Sequence, residues 1–347
     1  MSKSTTVNAG VTPDEAPSAR PTSRRGASGT RRGGTGRAER LALLVTWVAV
    51  IVVFGALEPG SYLTIANFAN IFGSQAVLVV LALGLLVPLT VGDYDLSVAS
   101  ILTLSAMVVG ILNVNLHLSI VVAIVVAASV GLVCGVVNGA VVTLFDIDPF
   151  IVTLGTSTVI EGIVFWISNS NTITGIAPAL STWVVTNRFL GIPLEAYYGL
   201  VLCVVLWYVF DYTPLGQRLL YVGQGRMVAR LSGINVSRIR FGALVTSGLI
   251  AGMAGVLYAG STGSADPTSG TSFLLPAFAA AFLGATAIRP GRFNPWGTII
   301  AAYFLISGIT GLQLFGANSY TQDLFYGGAL VVAVVLSQVA RRRRTVR

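Results

Sequence analysis

Long, continuous apolar runs limit this chain's possible folds more than any other feature of its sequence. Ten of them lie near residues 41–57, 72–91, 97–114, 119–144, 150–168, 195–211, 241–262, 272–289, 297–315 and 321–340. Each comes close to the ~20 residues that carry an α-helix across a bilayer. The apolar residues do not alternate with polar ones, which excludes the dyad pattern of a membrane β-barrel. Composition agrees: 10% of residues are charged and 54% hydrophobic, against about 25% charged in soluble domains. The expected fold is therefore all-α, a polytopic membrane protein with about ten transmembrane helices over residues 41–340.

Charge orients this arrangement. The first forty residues hold eight Lys/Arg and three acids, and Arg341–Arg347 holds five Arg and no acid. With ten spans and both termini cytoplasmic, Arg188 is the one basic residue of 21 left outside. That asymmetry follows the positive-inside rule. The net charge of +8 then reports topology and attraction to anionic membrane lipid, not nucleic acid. Residues 1–40, rich in Ser, Thr, Gly, Pro and Arg, are expected to form a disordered basic tail, and 341–347 a second cytoplasmic tail. Cys134 and Cys203 fall inside apolar runs, and His117 stands alone, so no disulfide, metal site or cofactor is expected.

The longest polar interruption is TPLGQRLLYVGQGRMVARLSGINVSRIRF, Thr213–Phe241, with five Arg and no acid. As loop 212–240 it reads as cytoplasmic. Its scattered apolar positions, followed by Ser232-Gly233, suggest a short amphipathic helix ending at Gly233 on which a soluble partner docks. An ordinary basic loop is the plainer alternative.

Polar residues also interrupt the apolar runs. Asp93 and Asp95 sit at a near loop-free junction, with Ser97 able to cap the next helix. Two carboxylates there mark either a broken helix near a translocation path or a tight solvated turn. Asn138 and the segment from Asp146 to Phe150 flank the next inside turn. Pro149 suits a first helical turn and Asp148 its cap. Thr153 and Thr156 belong to a small, polar face of the following span, suited to a polar path or to close packing. Glu161, deeper in that span, could pair with a polar neighbour or a substrate hydroxyl. Gly252, Gly255 and Gly260 read as packing residues.

Three segments carry a resemblance. GDYDLSVAS, Gly92–Ser100, is similar to the G-x-DLSVGS signature of permease subunits of bacterial ABC importers for simple sugars, the ribose/xylose/galactose type, with Ala99 where Gly is usual. NGAVVTLFDIDPFIVTLGT, Asn138–Thr156, resembles the same family's NG…PPFIATLGT, with Asp148 where Pro is usual. Thr213–Phe241 resembles its loop T-x-x-G-R-x-x-x-A-x-G-x-x-x-x-A-A-x-x-S-G-I-x-V. The likeness runs from about residue 70 to the end. LLPAFAAAFLGATAIRPGRFNPWGT, Leu274–Thr298, departs from it: Pro276 replaces an expected Asp, and Arg289-Pro290 and Asn294-Pro295 rebuild a loop.

The resemblance implies an inverted-repeat importer-type permease in the bacterial plasma membrane, carrying a monosaccharide or related polyol. It implies two cytoplasmic ATP-binding subunits or one double-length ATPase, an extracytoplasmic sugar-binding protein, and a second permease subunit, identical or a close paralogue. By it, Gly216, Arg226, Ala229, Arg230, Leu231, Ser232, Gly233 and Ile234 belong to the ATPase-docking segment. Asp93, Asp95, Ser97, Asn138, Pro149, Phe150, Thr153, Thr156 and Glu161 belong to the translocation path. The chain itself has no G-x-x-x-x-G-K-[ST] motif and no nucleophile–base set, as expected of a non-enzyme subunit driven by a separate ATPase. Alternatives are an ion-coupled secondary transporter using Asp95 and Glu161, a membrane-embedded enzyme, and a branched-chain amino-acid permease, from which DLSVAS points away.

Overall fold

A computed structural model describes residues 35–345, and side chains for 41–335. The expectation of a disordered tail lies, for residues 1–34, outside the described residues. Helix α1 (Thr35–Leu57) already starts within the last residues of that stretch. The rest of the chain is almost wholly helical: α2 (Ile65–Ser74), α3 (Ala76–Val91), α4 (Val98–Gly110), α5 (Ile120–Leu144), α6 (Pro149–Ser168), α7 (Pro178–Ser181), α8 (Leu194–Tyr212), α9 (Pro214–Gln224), α10 (Arg226–Leu231), α11 (Val236–Thr262), α12 (Thr271–Gly284), α13 (Pro295–Leu314) and α14 (Tyr320–Thr345). The strands are two short ribbons, Ile173–Thr174 with Ser264–Ala265 and Arg188–Phe189 with Ile192–Pro193.

Among the described residues, six helices are long and apolar enough to cross a membrane: Val98–Asn115 and α5, α6, α8, α11 and α13. The pair α2–α3 passes the same test as one span, bent by 41°. Leu41–Leu57, α12 and Tyr320–Val335 are shorter apolar helices. Besides the outer ends of α1 and α14, which run on to Thr35 and Thr345, three boundaries differ from the sequence reading. The run expected over 72–91 starts inside α2 and bends at Gln75. There Gly73 has no side chain, and a Cβ on it would meet Pro193 Cγ at 2.9 Å. Helix α11 starts at Val236 rather than 241, because Asn235 caps it by accepting Arg238 N–H at 3.0 Å. Helix α12 stops at Gly284 rather than 289. The Asn294 amide donates to the carbonyls of Gly284 (3.1 Å) and Ala287 (3.2 Å) and folds the chain back.

The core is built around α3. Every residue from Ala76 to Val91 is buried, as expected of a helix that is apolar all round. Helices α8, α9, α11 and α12 surround it. Beside it, α5 and α11 meet backbone to backbone. Gly131, Gly135 and Gly139 form an i, i+4, i+8 stripe on α5, facing Gly248 and Gly252 on α11. A Cβ on Gly248 would lie 2.5 Å from Gly131 O, and one on Gly135 2.7 Å from Leu244 O. Small residues allow such close helix approach within membranes. Substituting Gly248→Ala should therefore force the seam apart and cost about 1–3 kcal/mol. Gly155→Ala, on an α6 face with open space around it, should be neutral or slightly stabilising. Thermal unfolding of the two purified variants compares them directly, and equal melting would show that the seam is not tight.

Candidate functional site

Helix α3 ends in a sharp turn. Gly92 adopts a left-handed conformation (φ 83°), which a side chain would strain, and Asp93 N donates to Pro88 O at 2.9 Å. The turn drives the Asp93 carboxylate into the interior, where it is fully buried. A buried charge is costly unless paired, and Asp93 is paired twice. Oδ2 accepts from Arg240 Nε at 2.8 Å and Oδ1 from Arg226 Nη2 at 2.5 Å. Arg240, in the second turn of α11, is itself buried, whereas the Arg226 side chain is 44% exposed. Arg240 Nη1 also reaches the exposed Asp146 at 3.6 Å.

Asp95 performs a different task. Oδ1 accepts from Ser97 N at 3.1 Å and Ser97 Oγ at 2.6 Å, closing the turn into α4. Oδ2 is buried without a hydrogen bond, and so is Ser247 Oγ, which borders the carboxylate from α11. Ser97 Oγ in turn accepts from Asn138 Nδ2 at 2.8 Å, and Asn138 Oδ1 accepts from Thr156 Oγ1 at 2.7 Å. Thr153 Oγ1 accepts from Leu96 N at 3.1 Å. One turn deeper, Ser100 Oγ and Ser157 Oγ lie 2.8 Å apart and Glu161 Oε1 lies 3.1 and 3.3 Å from them, three contacts among which the two hydroxyl protons are shared. The structure thus brings Asp95, Ser97, Asn138, Thr153, Thr156 and Glu161 into adjoining polar contacts between α4, α5 and α6. Asp93 stands apart from them in its own ion pairs. Asp93 and Asp95 are both 0% exposed, so the solvated-turn reading of this junction is excluded. Pro149 is buried in the first turn of α6, with Asp148 as cap accepting Phe150 N at 2.8 Å, and the Phe150 ring is exposed.

The basic loop folds into two helices rather than the single one expected. Helix α9 lies against the ends of α8 and α3. A Cβ on Gly216 would meet Val209 O at 2.3 Å, and one on Gly223 would meet Thr90 O at 1.9 Å. The chain straightens at Gly225 and restarts as α10. That helix ends in a Schellman motif: Ile234 N donates to Ala229 O and Gly233 N to Arg230 O, both at 3.0 Å, with Gly233 left-handed at φ 80°. Of the docking residues expected from sequence, Arg230, Leu231, Ser232 and Gly233 share the exposed tip. Gly216 and Ala229 face inward, Ile234 is half-buried, and Arg226 is held by Asp93. Met227, Val228 and Leu231, at 70%, 67% and 82% exposure, form an apolar patch there. Met227 and Val228 were missed from sequence, as was Arg240. The signal for Arg240 was a charge at the edge of an apolar run, which needs a buried partner.

At the opposite end of α11, Asp266 lies in the loop before α12. The hydroxyl of Thr268, then that of Thr172, then the Thr268 N–H hold its carboxyl below the usual range. The Thr172 contact, 2.7 Å long, ties this loop to the chain after α6. Among the described residues, no group of three or more His, Cys, Asp or Glu side chains could hold a metal ion.

Fold and site together define a multi-pass helical membrane protein with a surface helix pair tied to a buried helix break. Residues 67–334 match the family described as branched-chain amino acid transport system / permease component, and the chain belongs to that family. Among its relatives, the D-allose transport system permease protein of Escherichia coli K12 is 30% identical over 290 residues, 84% of this chain and 89% of that one. The ribose import permease protein of Bacillus subtilis 168 is 32% identical over 290 residues, 83% and 89% of the two chains. The autoinducer 2 import system permease protein of Salmonella paratyphi A is 28% identical over 312 residues, 88% and 93%. No solved structure matches. The resemblance carried by the three sequence motifs is thereby borne out.

Asp93→Asn should leave the buried Arg240 with only the exposed Asp146, 3.6 Å away, as a counter-charge and cost about 3–5 kcal/mol. Arg226→Gln, at a half-exposed position, should cost about 1 kcal/mol or less. Adding Arg240→Gln to Asp93→Asn should restore much of the loss. Thermal unfolding of the three purified variants beside the unmodified protein tests this order, and a double variant less stable than Asp93→Asn would break it.

Proposed function

We propose that this chain is the pore subunit of an ATP-binding-cassette importer for a monosaccharide or related polyol, and not itself an enzyme. Two copies, or this chain and a close paralogue, form the pore in the bacterial plasma membrane, with both termini cytoplasmic over ten spans. Two ATP-binding subunits, or one double-length ATPase, dock on the loops 212–240, and an extracytoplasmic binding protein delivers the sugar. The observation that supports this reading best is the Asp93 ion pairs. They connect the exposed tip of α10, where a soluble partner can press, to the buried break between α3 and α4. A push on α10 thereby reaches Asp95, Ser97 and the polar contacts with Asn138, Thr153 and Thr156. Half-buried Thr156 and Glu161 are the path residues nearest to a passing hydroxyl. The fully buried Asp95, Ser97 and Asn138 hold the break open for them.

The family description supplies a second reading, a branched-chain amino acid as cargo. The chemistry favours a neutral polyol: α4 and α6 contain hydroxyls and Glu161 but no Lys or Arg to meet a substrate carboxylate. Reconstituted with its neighbouring-gene ATPase and binding protein, the chain should take up labelled ribose or allose and ignore leucine. Leucine uptake without sugar uptake would replace the first reading by the second.

Gly233→Val tests the docking segment. A β-branched residue resists the left-handed conformation, so the Schellman turn should open and misplace Leu231. Membrane insertion should be normal, while co-purification of the ATPase and ATP-driven uptake are lost. Normal uptake by this variant would remove the α10 tip from the coupling interface.

A further inference from the structure

We infer that a cleft between the end of α8 and the start of α13 binds the phosphate of an anionic phospholipid headgroup. The cleft is lined by Trp207, Asp211, Arg289, Arg292 and Trp296 and holds about 60 Å³, room for a few ordered waters. It suits one compact anionic group. Its walls lie at the ends of two membrane-length helices, Leu194–Tyr212 and Pro295–Leu314, which is headgroup depth. Trp207 packs edge-on against Trp296 (6.2 Å) and Tyr212 (5.2 Å), the aromatic belt of a membrane interface. Arg289 is already neutralised by Asp211. Arg292 is exposed, and its guanidinium has no ion pair among the described residues. Its planar fork matches phosphate oxygens. The loop that carries both arginines lies in the segment Leu274–Thr298, whose sequence departs from the family pattern.

The test is native mass spectrometry of the delipidated full chain, titrated separately with phosphatidylglycerol, phosphatidylcholine and inorganic phosphate. Phosphatidylglycerol should bind about fivefold tighter than phosphatidylcholine, the effect of one basic residue at an anionic surface. Arg292→Gln should erase that difference, while Arg218→Gln, an exposed position on α9, should keep it. Thermal unfolding checks that both variants are folded. Three results would each overturn the inference: equal binding of the two lipids, a preference that survives Arg292→Gln, or inorganic phosphate binding as tightly as phosphatidylglycerol. The last would describe a soluble-anion site rather than a lipid site.

Discussion

One buried carboxylate organises the end of this protein where α3, α10 and α11 meet. Asp93 is out of contact with solvent and accepts from Arg226 and Arg240 on two different elements of the basic loop. Without it, α10 would be attached by its short links to α9 and α11 and little else. With it, α10 and α11 share one charge centre with the distant turn between α3 and α4. The pair with Arg240 carries the larger penalty if broken, because both partners are buried. The pair with Arg226 can open more easily, since that guanidinium is half in solvent. A joint with one firm and one soft arm can hold position and still transmit movement.

The polar groups beyond the clamp are arranged for shape before contact. Asp95 closes the turn into α4 through Ser97, and Ser97 is fixed in turn by Asn138 and Thr156. Such a connected set specifies one geometry, because each member left unpaired would be costly in a low dielectric. The unmatched Asp95 Oδ2 and Ser247 Oγ are the exception, and they lie at the helix break itself. Polar atoms that lack partners tend to sit where structure has a task other than stability.

Much of the architecture was legible in the sequence. Apolar runs located the helices, and Asp148-Pro149 and Gly233 marked a start and a stop that the structure shares. The bend at Gln75 was not read from the sequence, and Pro193, which packs against Gly73 beside it, comes from another part of the chain. Asp93 stood out as a charge at an apolar junction. Its partners could not be found from spacing, because they are 133 and 147 residues away. The basic loop read as one helix, since its apolar residues continue across Gly225, and only packing against Val209 and Thr90 shows where it divides. The glycine stripe at 131, 135 and 139 is visible at helical spacing, but Gly248 and Gly252, which give it meaning, lie more than a hundred residues on.

That stripe bears on how the molecule can move. Where α5 and α11 touch through bare backbone, no side chains lie between them to switch rotamer. Packed interfaces rearrange in discrete steps, and at Gly131 and Gly135, which face bare backbone, this one has nothing to repack. The two helices therefore travel as a single rigid block. A second such contact joins α12 to α13, where a Cβ on Gly284 would lie 2.5 Å from Thr298 N, and sliding is left to seams elsewhere, around α6 and α14. The kinematics of the transport cycle are thus written partly in where glycine is present and partly in where it is not.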